Sequence, residues 1–239
     1  MTIERRNFPQ FFITAPAPCP YLPNRFERKV FTHLIGADAR KLNSHLSHGG
    51  FRRSQNIAYR PACDGCTSCI SVRVRTQEFE PSASHRRILR RNRDLESKVV
   101  QTKATSEQYA VFRAYIDSRH GEGGMADMSV LDFSAMVDDN FVDSRMIEYR
   151  DAGGKLVSAI LTDTLDDGLS LIYSYFEPEE DHRSLGTFMI LDQISRARQL
   201  GLAYAYLGYW VQGSRKMDYK GHFLPQEQLS ADGWVLRLK

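Results

Sequence analysis

Apolar and polar residues alternate along residues 70–76, the period of a half-buried strand, which predicts a cationic outer face carrying Arg73 and Arg75. Ahead of it, Leu42 and Leu46 at a spacing of four predict a helix over 37–47, ended by Gly49-Gly50. Before residue 24, Pro9, Pro16, Pro18, Pro20 and Pro23 break any regular element. After the strand, a helix is predicted over 84–95 and a short strand over 98–103. Residues 106–118 and 132–141 read as helices, 145–149 and 155–164 as a hairpin around Gly153-Gly154, and 170–176 as a further strand. Leu185, Phe188, Met189, Leu191, Ile194 and Ala197 recur near helical spacing over 185–200, with Gly201 as terminator. Residues 204–210 predict a strand, 214–220 a short helix or turn, and 228–236 a last strand bent at Asp232-Gly233.

The chain of 239 residues is 42% hydrophobic and 26% charged, a globular composition long enough for one large core or two small ones. No run approaches the roughly 20 apolar residues of a membrane span, and no apolar run follows the start, so a cytoplasmic location is expected. The net charge of +3 hides a split. Residues 1–103 carry 19 Lys and Arg against 8 Asp and Glu, whereas 104–239 carry 13 against 21, which gives +11 and −8. We place a domain boundary there, with a basic domain over 1–103 and a second over 104–239. Such asymmetry fits a polyanion on one half, or equally an internal contact between oppositely charged halves.

The order of elements in the second part resembles the GNAT acyltransferase fold, so the expected fold class is α/β (α+β): a GNAT-like unit behind a basic, cysteine-containing N-terminal domain. Proteins of that fold bind coenzyme A on backbone N–H groups at a helix start of the form Q/R-x-x-G-x-G/A. Here the turn reads Arg183-Ser184-Leu185-Gly186-Thr187-Phe188, and the bulk of Phe188 argues against a pyrophosphate and hence against a coenzyme A-dependent acetyltransferase.

Three segments carry a second resemblance: Cys19-Pro20-Tyr21-Leu22-Pro23; Gly50-Phe51-Arg52-Arg53-Ser54-Gln55 continuing through Tyr59-Arg60-Pro61 to Cys63, Cys66, Cys69 and Arg73; and Ser214-Arg215-Lys216-Met217-Asp218-Tyr219-Lys220-Gly221. As a set they resemble the aminoacyl-tRNA–protein transferases of the N-degron pathway, in the short bacterial aspartate/glutamate leucyltransferase form. The resemblance implies that the α-amino group of a protein beginning with Asp or Glu attacks the ester of Leu-tRNA. The alternatives are arginine as donor or, in another class, a non-catalytic tRNA-binding protein. A monomer is the default, with no membrane partner.

Arg86, Arg87, Arg90, Arg91 and Arg93 form the densest basic cluster. At spacings of four and three, Arg86, Arg90 and Arg93 are expected to share one helix face and meet tRNA phosphates, where the alternative is an ordinary solvated face. The ester is already activated, so the reaction needs a neutral amine, donors for the oxyanion and a proton for the leaving ribose oxygen. Tyr173 and Tyr175, on one face of their strand, are candidate donors, though tyrosines so placed also serve as core packing. Glu177 and Asp218 are candidate proton acceptors. Arg215, Lys216, Tyr219 and Lys220 suit a phosphate or the CCA end. Arg52 and Arg53 suit the acceptor carboxylate, and strand alternation allows only one of the two to reach it.

Cys63, Cys66 and Cys69 stand in a C-x-x-C-x-x-C run, and Cys19 makes four thiols, enough for zinc or an iron–sulfur cluster. The longer transferases of the family have N-terminal cysteines implicated in such binding, but here Leu22-Pro23 stands where those show a second cysteine. Metal binding and free reduced thiols both remain open. The chemistry itself requires no cofactor.

Overall fold

The computed structural model describes residues 9–119, 126–138, 141–214 and 216–238. In chain order the strands and helices are β1 (Phe12–Ile13), β2 (Ala17–Pro18), β3 (Phe26–Glu27), β4 (Lys29–His33), α1 (Ala39–His48), β5 (Arg52–Ser54), β6 (Ile57–Pro61), β7 (Cys69–Arg75), α2 (Ala83–Arg91) and β8 (Glu96–Val100). There follow α3 (Ser106–Arg119), α4 (Val130–Asp138), β9 (Ser144–Arg150), β10 (Leu156–Thr164), β11 (Gly168–Phe176), α5 (Leu185–Gln199), β12 (Tyr204–Val211), β13 (Gln226–Ser230) and β14 (Gly233–Arg237). Short 3-10 helices at Pro178–Arg183 and Asp218–His222 precede α5 and β13. The chain is a mixed α/β protein.

Eight strands form one sheet in the order β14-β13-β7-β12-β11-β10-β9-β8, in which β11 and β12 run parallel. One face packs on α5, where Leu185, Met189, Leu191 and Ile194 meet Val72, Val74, Ile160 and Leu207. The other face is covered by α3 and α4, whose Phe112, Ile116, Phe133 and Val137 meet Met146, Leu161 and Tyr175. A smaller sheet, β1-β4-β6-β5, packs with α1 around Leu34, Ala39, Leu46 and Ala58.

Four expectations change. Far from presenting a cationic face, β7 lies inside the sheet between β12 and β13. Arg73 is buried between the rings of Tyr204 (3.6 Å) and Trp234 (4.2 Å), with Glu227 at 2.7 Å and the Tyr206 hydroxyl at 2.8 Å. Stacking and a carboxylate replace the water that the alternation implied. Next, the bend at Asp232-Gly233 is a full hairpin, with Ser230 opposite Gly233 and Gly233 at φ +106°. Helix α2 stops at Arg91, where Asn92 caps it through Ile88, so Arg93 lies past the helix rather than on its stripe. Finally, the proline-rich opening carries short strands, because β1 and β2 lie at sheet edges, where the missing N–H of Pro18 costs little.

Candidate active site where two parallel strands part

Parallel pairing between β11 and β12 covers only Gly168–Ser170 against Tyr204–Tyr206. Past this, the carbonyls of Leu171 and Ile172 lose their strand partner, and Arg52 Nη2 donates to both, at 2.7 and 3.1 Å. A guanidinium is suited to this wedge because one plane carries several donors. Gly208 makes room: it has φ +77°, and a Cβ there would fall 1.2 Å from Arg52 Nη1. Arg52 Nε and Nη1 donate no hydrogen bond among the described residues.

Arg53, its neighbour on β5, points elsewhere. Its guanidinium forks onto Asp163 of β10 and also donates to Ser144 and the Gln55 carbonyl. Asn43 of α1 donates to the same Asp163 at 3.2 Å. Arg53 therefore ties the small sheet to the large one, away from the wedge that Arg52 makes.

Close to Arg52 lies the 3-10 helix Asp218–His222. Lys220 is buried, and its Nζ donates to the Tyr209 carbonyl of β12 at 2.9 Å. Burial first, and then the positive Arg52, holds the Lys220 ammonium well below the usual lysine range. Tyr219 is 41% exposed, although desolvation and then Tyr115 raise its phenol pKa. Asp218 and Lys216 are exposed, and Arg215 lies outside the described residues.

The tyrosines of β11 divide. Tyr175 is fully buried beside Phe112 and Phe133 (5.7 and 6.0 Å), and its hydroxyl has no hydrogen-bond partner among the described residues. Tyr173 is half-buried near Tyr115, and desolvation raises its pKa as it does that of Tyr175. Glu177, at the strand end, faces Lys155 at 3.5 Å.

All five arginines of the basic cluster are exposed. Helix α2 is fastened to the turn before α5: Arg91 donates to the His182 carbonyl, Asn92 to the Arg183 carbonyl at 2.9 Å, and Arg183 pairs with Asp94 at 2.9 Å. Ser184 caps α5 from the left-handed region without a side-chain bond. Phe188 is buried in the core and stacks edge-on to Tyr149, so its bulk faces away from the turn and does not obstruct it.

The four cysteines line one pocket with Tyr21, Arg25, Glu27, Lys29, Tyr59 and Tyr209. Burial, then the neighbouring thiols, push the Cys69 thiol up to about 11, whereas hydrogen bonds from Ser68 lower that of Cys66. Among the described residues no group of three or more His, Cys, Asp or Glu could hold a metal ion. Asp163, Gly208, Tyr209 and the charged trio at 25, 27 and 29 escaped the sequence reading. The one signal was Gly208 interrupting an otherwise bulky strand.

Residues 17–87 match the N-terminal family of arginine-tRNA-protein transferase, and residues 107–230 match its C-terminal family. A protein of Nitrobacter hamburgensis named aspartate/glutamate leucyltransferase is 61% identical over 98% of this chain and 95% of its own length. One of Rhodopseudomonas palustris with the same name is 60% identical over the same shares. The solved C-terminal domain of a putative lysylphosphatidylglycerol synthetase from Agrobacterium fabrum aligns with 76% of this chain and 54% of its own at 14% identity and a TM-score of 0.44, too slight a likeness to carry weight. The chain belongs to the aminoacyl-tRNA–protein transferase family, in its aspartate/glutamate leucyltransferase branch.

Proposed function

We propose that this protein moves leucine from Leu-tRNA to the α-amino group of proteins that begin with Asp or Glu. The observation that carries the reading is the end-to-end likeness, at 61% and 60% identity, to proteins named for that reaction. The run β9–β10–β11–α5–β12 is the portion we read as GNAT-like, with the aminoacyl end of tRNA, rather than coenzyme A, at the parting of β11 and β12.

In this reading residues 1–103 contribute tRNA contacts, acceptor recognition and Arg52, and residues 104–239 the rest of the acyl site. The exposed arginines of α2 take the phosphates of the acceptor arm, and Lys216 and Tyr219, with Arg215, meet the CCA end. The acceptor amine, with an unperturbed pKa of about 7.7–8.0, attacks the ester carbonyl once neutral. The C–N bond forms, the tetrahedral oxyanion collapses, and the ribose oxygen leaves with the proton that the amine gives up. Arg52, whose Nε and Nη1 have no acceptor among the described residues, is our choice to stabilise the oxyanion. Lys220, an amine of lowered pKa, is our choice for the proton exchange over Asp218, which is exposed, and Glu177, which is paired with Lys155. Tyr173, half-buried against Phe112 of α3, keeps a part in donor binding, whereas Tyr175 serves the core.

No cofactor is needed, because the ester is already activated. Zinc or an iron–sulfur cluster on Cys19, Cys63, Cys66 and Cys69 would require a closer thiol arrangement than the described residues have. No helix of the described residues is long and apolar enough to cross a membrane. We assign a cytoplasmic monomer, which suits reduced cysteines.

The family descriptions name arginine, which favours arginyl transfer as the second reading. Radiolabelled Leu-tRNA and Arg-tRNA, each offered to peptides beginning with Asp and with Ala, separate these. Label passing from Leu-tRNA to the Asp peptide alone is expected. Label from Arg-tRNA instead promotes the second reading, and binding of tRNA without consumption of either ester leaves a non-catalytic tRNA-binding protein.

A further inference from the structure

The thiol-lined pocket contains charges that the reading above does not use. Glu27 and Lys29 pair across its wall at 2.6 Å, both only partly exposed, and exposed Arg25 stands at its mouth beside Cys66. The remaining walls are aromatic or apolar: Tyr21, Leu22, Phe26, Tyr59, Pro61 and Tyr209. An apolar leucyl group seated here would cover the ion pair and take its water away without replacing it, a net cost. A phosphate would meet Glu27 and be repelled. A small zwitterion meets neither objection, because it can exchange partners with the pair.

The acceptor's first residue is such a zwitterion, with an ammonium and a side-chain carboxylate a few bonds apart. We infer that this pocket is the seat of that residue, its carboxylate taken by Lys29 and Arg25 and its α-ammonium by Glu27. The ligand class is a peptide N-terminus bearing Asp or Glu, and the inference rests on the transfer reaction proposed above. Position supports it. Tyr209 gives its ring to the pocket wall and its carbonyl to Lys220. Arg52 acts electrostatically on Tyr21 and Tyr209 on the pocket side and on Tyr219 and Lys220 on the other. One strand residue and one guanidinium thus join the pocket to the place where the ester is expected.

The test is leucine transfer by the full-length protein to a peptide beginning with Asp, comparing wild type with Lys29→Met, Arg25→Gln and Glu27→Gln. A rise of tenfold or more in acceptor KM is expected for Lys29→Met and Arg25→Gln, with the KM for Leu-tRNA within twofold of wild type. Arg25 is exposed, so Arg25→Gln keeps the test valid if a less exposed site disturbs folding. Acceptor KM within twofold for Arg25→Gln and for every folded variant, or a rise confined to the KM for Leu-tRNA, overturns the pocket. A second readout needs no turnover: the Asp peptide is expected to slow alkylation of Cys66 by iodoacetamide at least fivefold, and the Ala peptide not. Equal protection by both, or by neither, overturns the assignment. A wild type that transfers leucine to no peptide instead overturns the proposed reaction, whatever Cys66 does.

Discussion

Arg53 and Asp163 close on each other as a fork, Nε to Oδ2 at 2.6 Å and Nη2 to Oδ1 at 2.7 Å, with side chains 1% and 0% exposed. They are 110 positions apart, and they pin β5 to β10. Removing one partner leaves the other charge buried and unpaired, a loss of about 3–5 kcal/mol. Arg53→Met is therefore expected to lower the urea midpoint steeply or prevent folding, and a midpoint within experimental scatter of wild type would show the pair to be dispensable.

Arg52, one residue away, should behave differently. Arg52→Ala frees two strand carbonyls at the cleft, where solvent can reach them, so activity should fall more than stability. We expect kcat to drop by about 100-fold or more, the scale of losing an oxyanion donor. Arg52→Lys should recover little, since one ammonium cannot span both carbonyls and the oxyanion. Full activity in Arg52→Lys would count against the wedge.

At Gly208 the backbone and the close guanidinium both oppose a side chain. Gly208→Ala carries about 1–2 kcal/mol for the left-handed conformation alone, and the new methyl group displaces Arg52. Loss of transfer together with a lower melting temperature is the expected pair of results, read by calorimetry and by the peptide assay.

Lys220 gives stability a pH dependence whose sign can be worked out. Its folded pKa is depressed, so between that value and the unfolded value of about 10.4 the unfolded chain binds more protons and stability rises with pH. Lys220→Met lacks this contribution. Urea denaturation of both proteins from pH 6.5 to pH 9 should show wild type gaining on the variant as pH rises. Parallel curves would mean that Lys220 is charged in the fold.

The thiols should react in an order. At pH 8, iodoacetamide is expected to modify Cys66 first and Cys69 last, at least tenfold apart, because only the thiolate attacks and Cys69 titrates at about 11. Peptide mass spectrometry against time reads the order directly.

Helical spacing revealed α5, and β-forming runs either side of a Gly-Gly turn revealed a hairpin whose strands are buried on both faces. The 185–200 helix and the hairpin before it are present nearly as predicted, at Leu185–Gln199 and Ser144–Arg150 with Leu156–Thr164. The pattern failed at β7, because alternation reports polarity, and Arg73 is polar yet buried among Tyr204, Trp234 and Glu227. Motifs drew attention to Arg52, Arg53 and the 214–221 segment, but not to what they touch. Asp163 and Gly208 carry no local signature, since their meaning comes from residues far along the chain that lie against them. The trio Arg25, Glu27 and Lys29 belongs to no motif, and only the fold brings it to the pocket of the cysteines.

The interior position of β7 has a consequence for biosynthesis. A chain leaving the ribosome has made this strand long before β12 and β13, its two neighbours, exist. Through that interval both of its hydrogen-bonding edges are open, and Cys69, Ile70, Val72 and Val74 lie in a segment inviting association with any other unpaired strand. Arg73 and Arg75 stand in the middle of this segment and discourage it by charge. Both are later bound by Glu227, so the residues that guard the waiting strand become, once β13 arrives, the ones that fasten it.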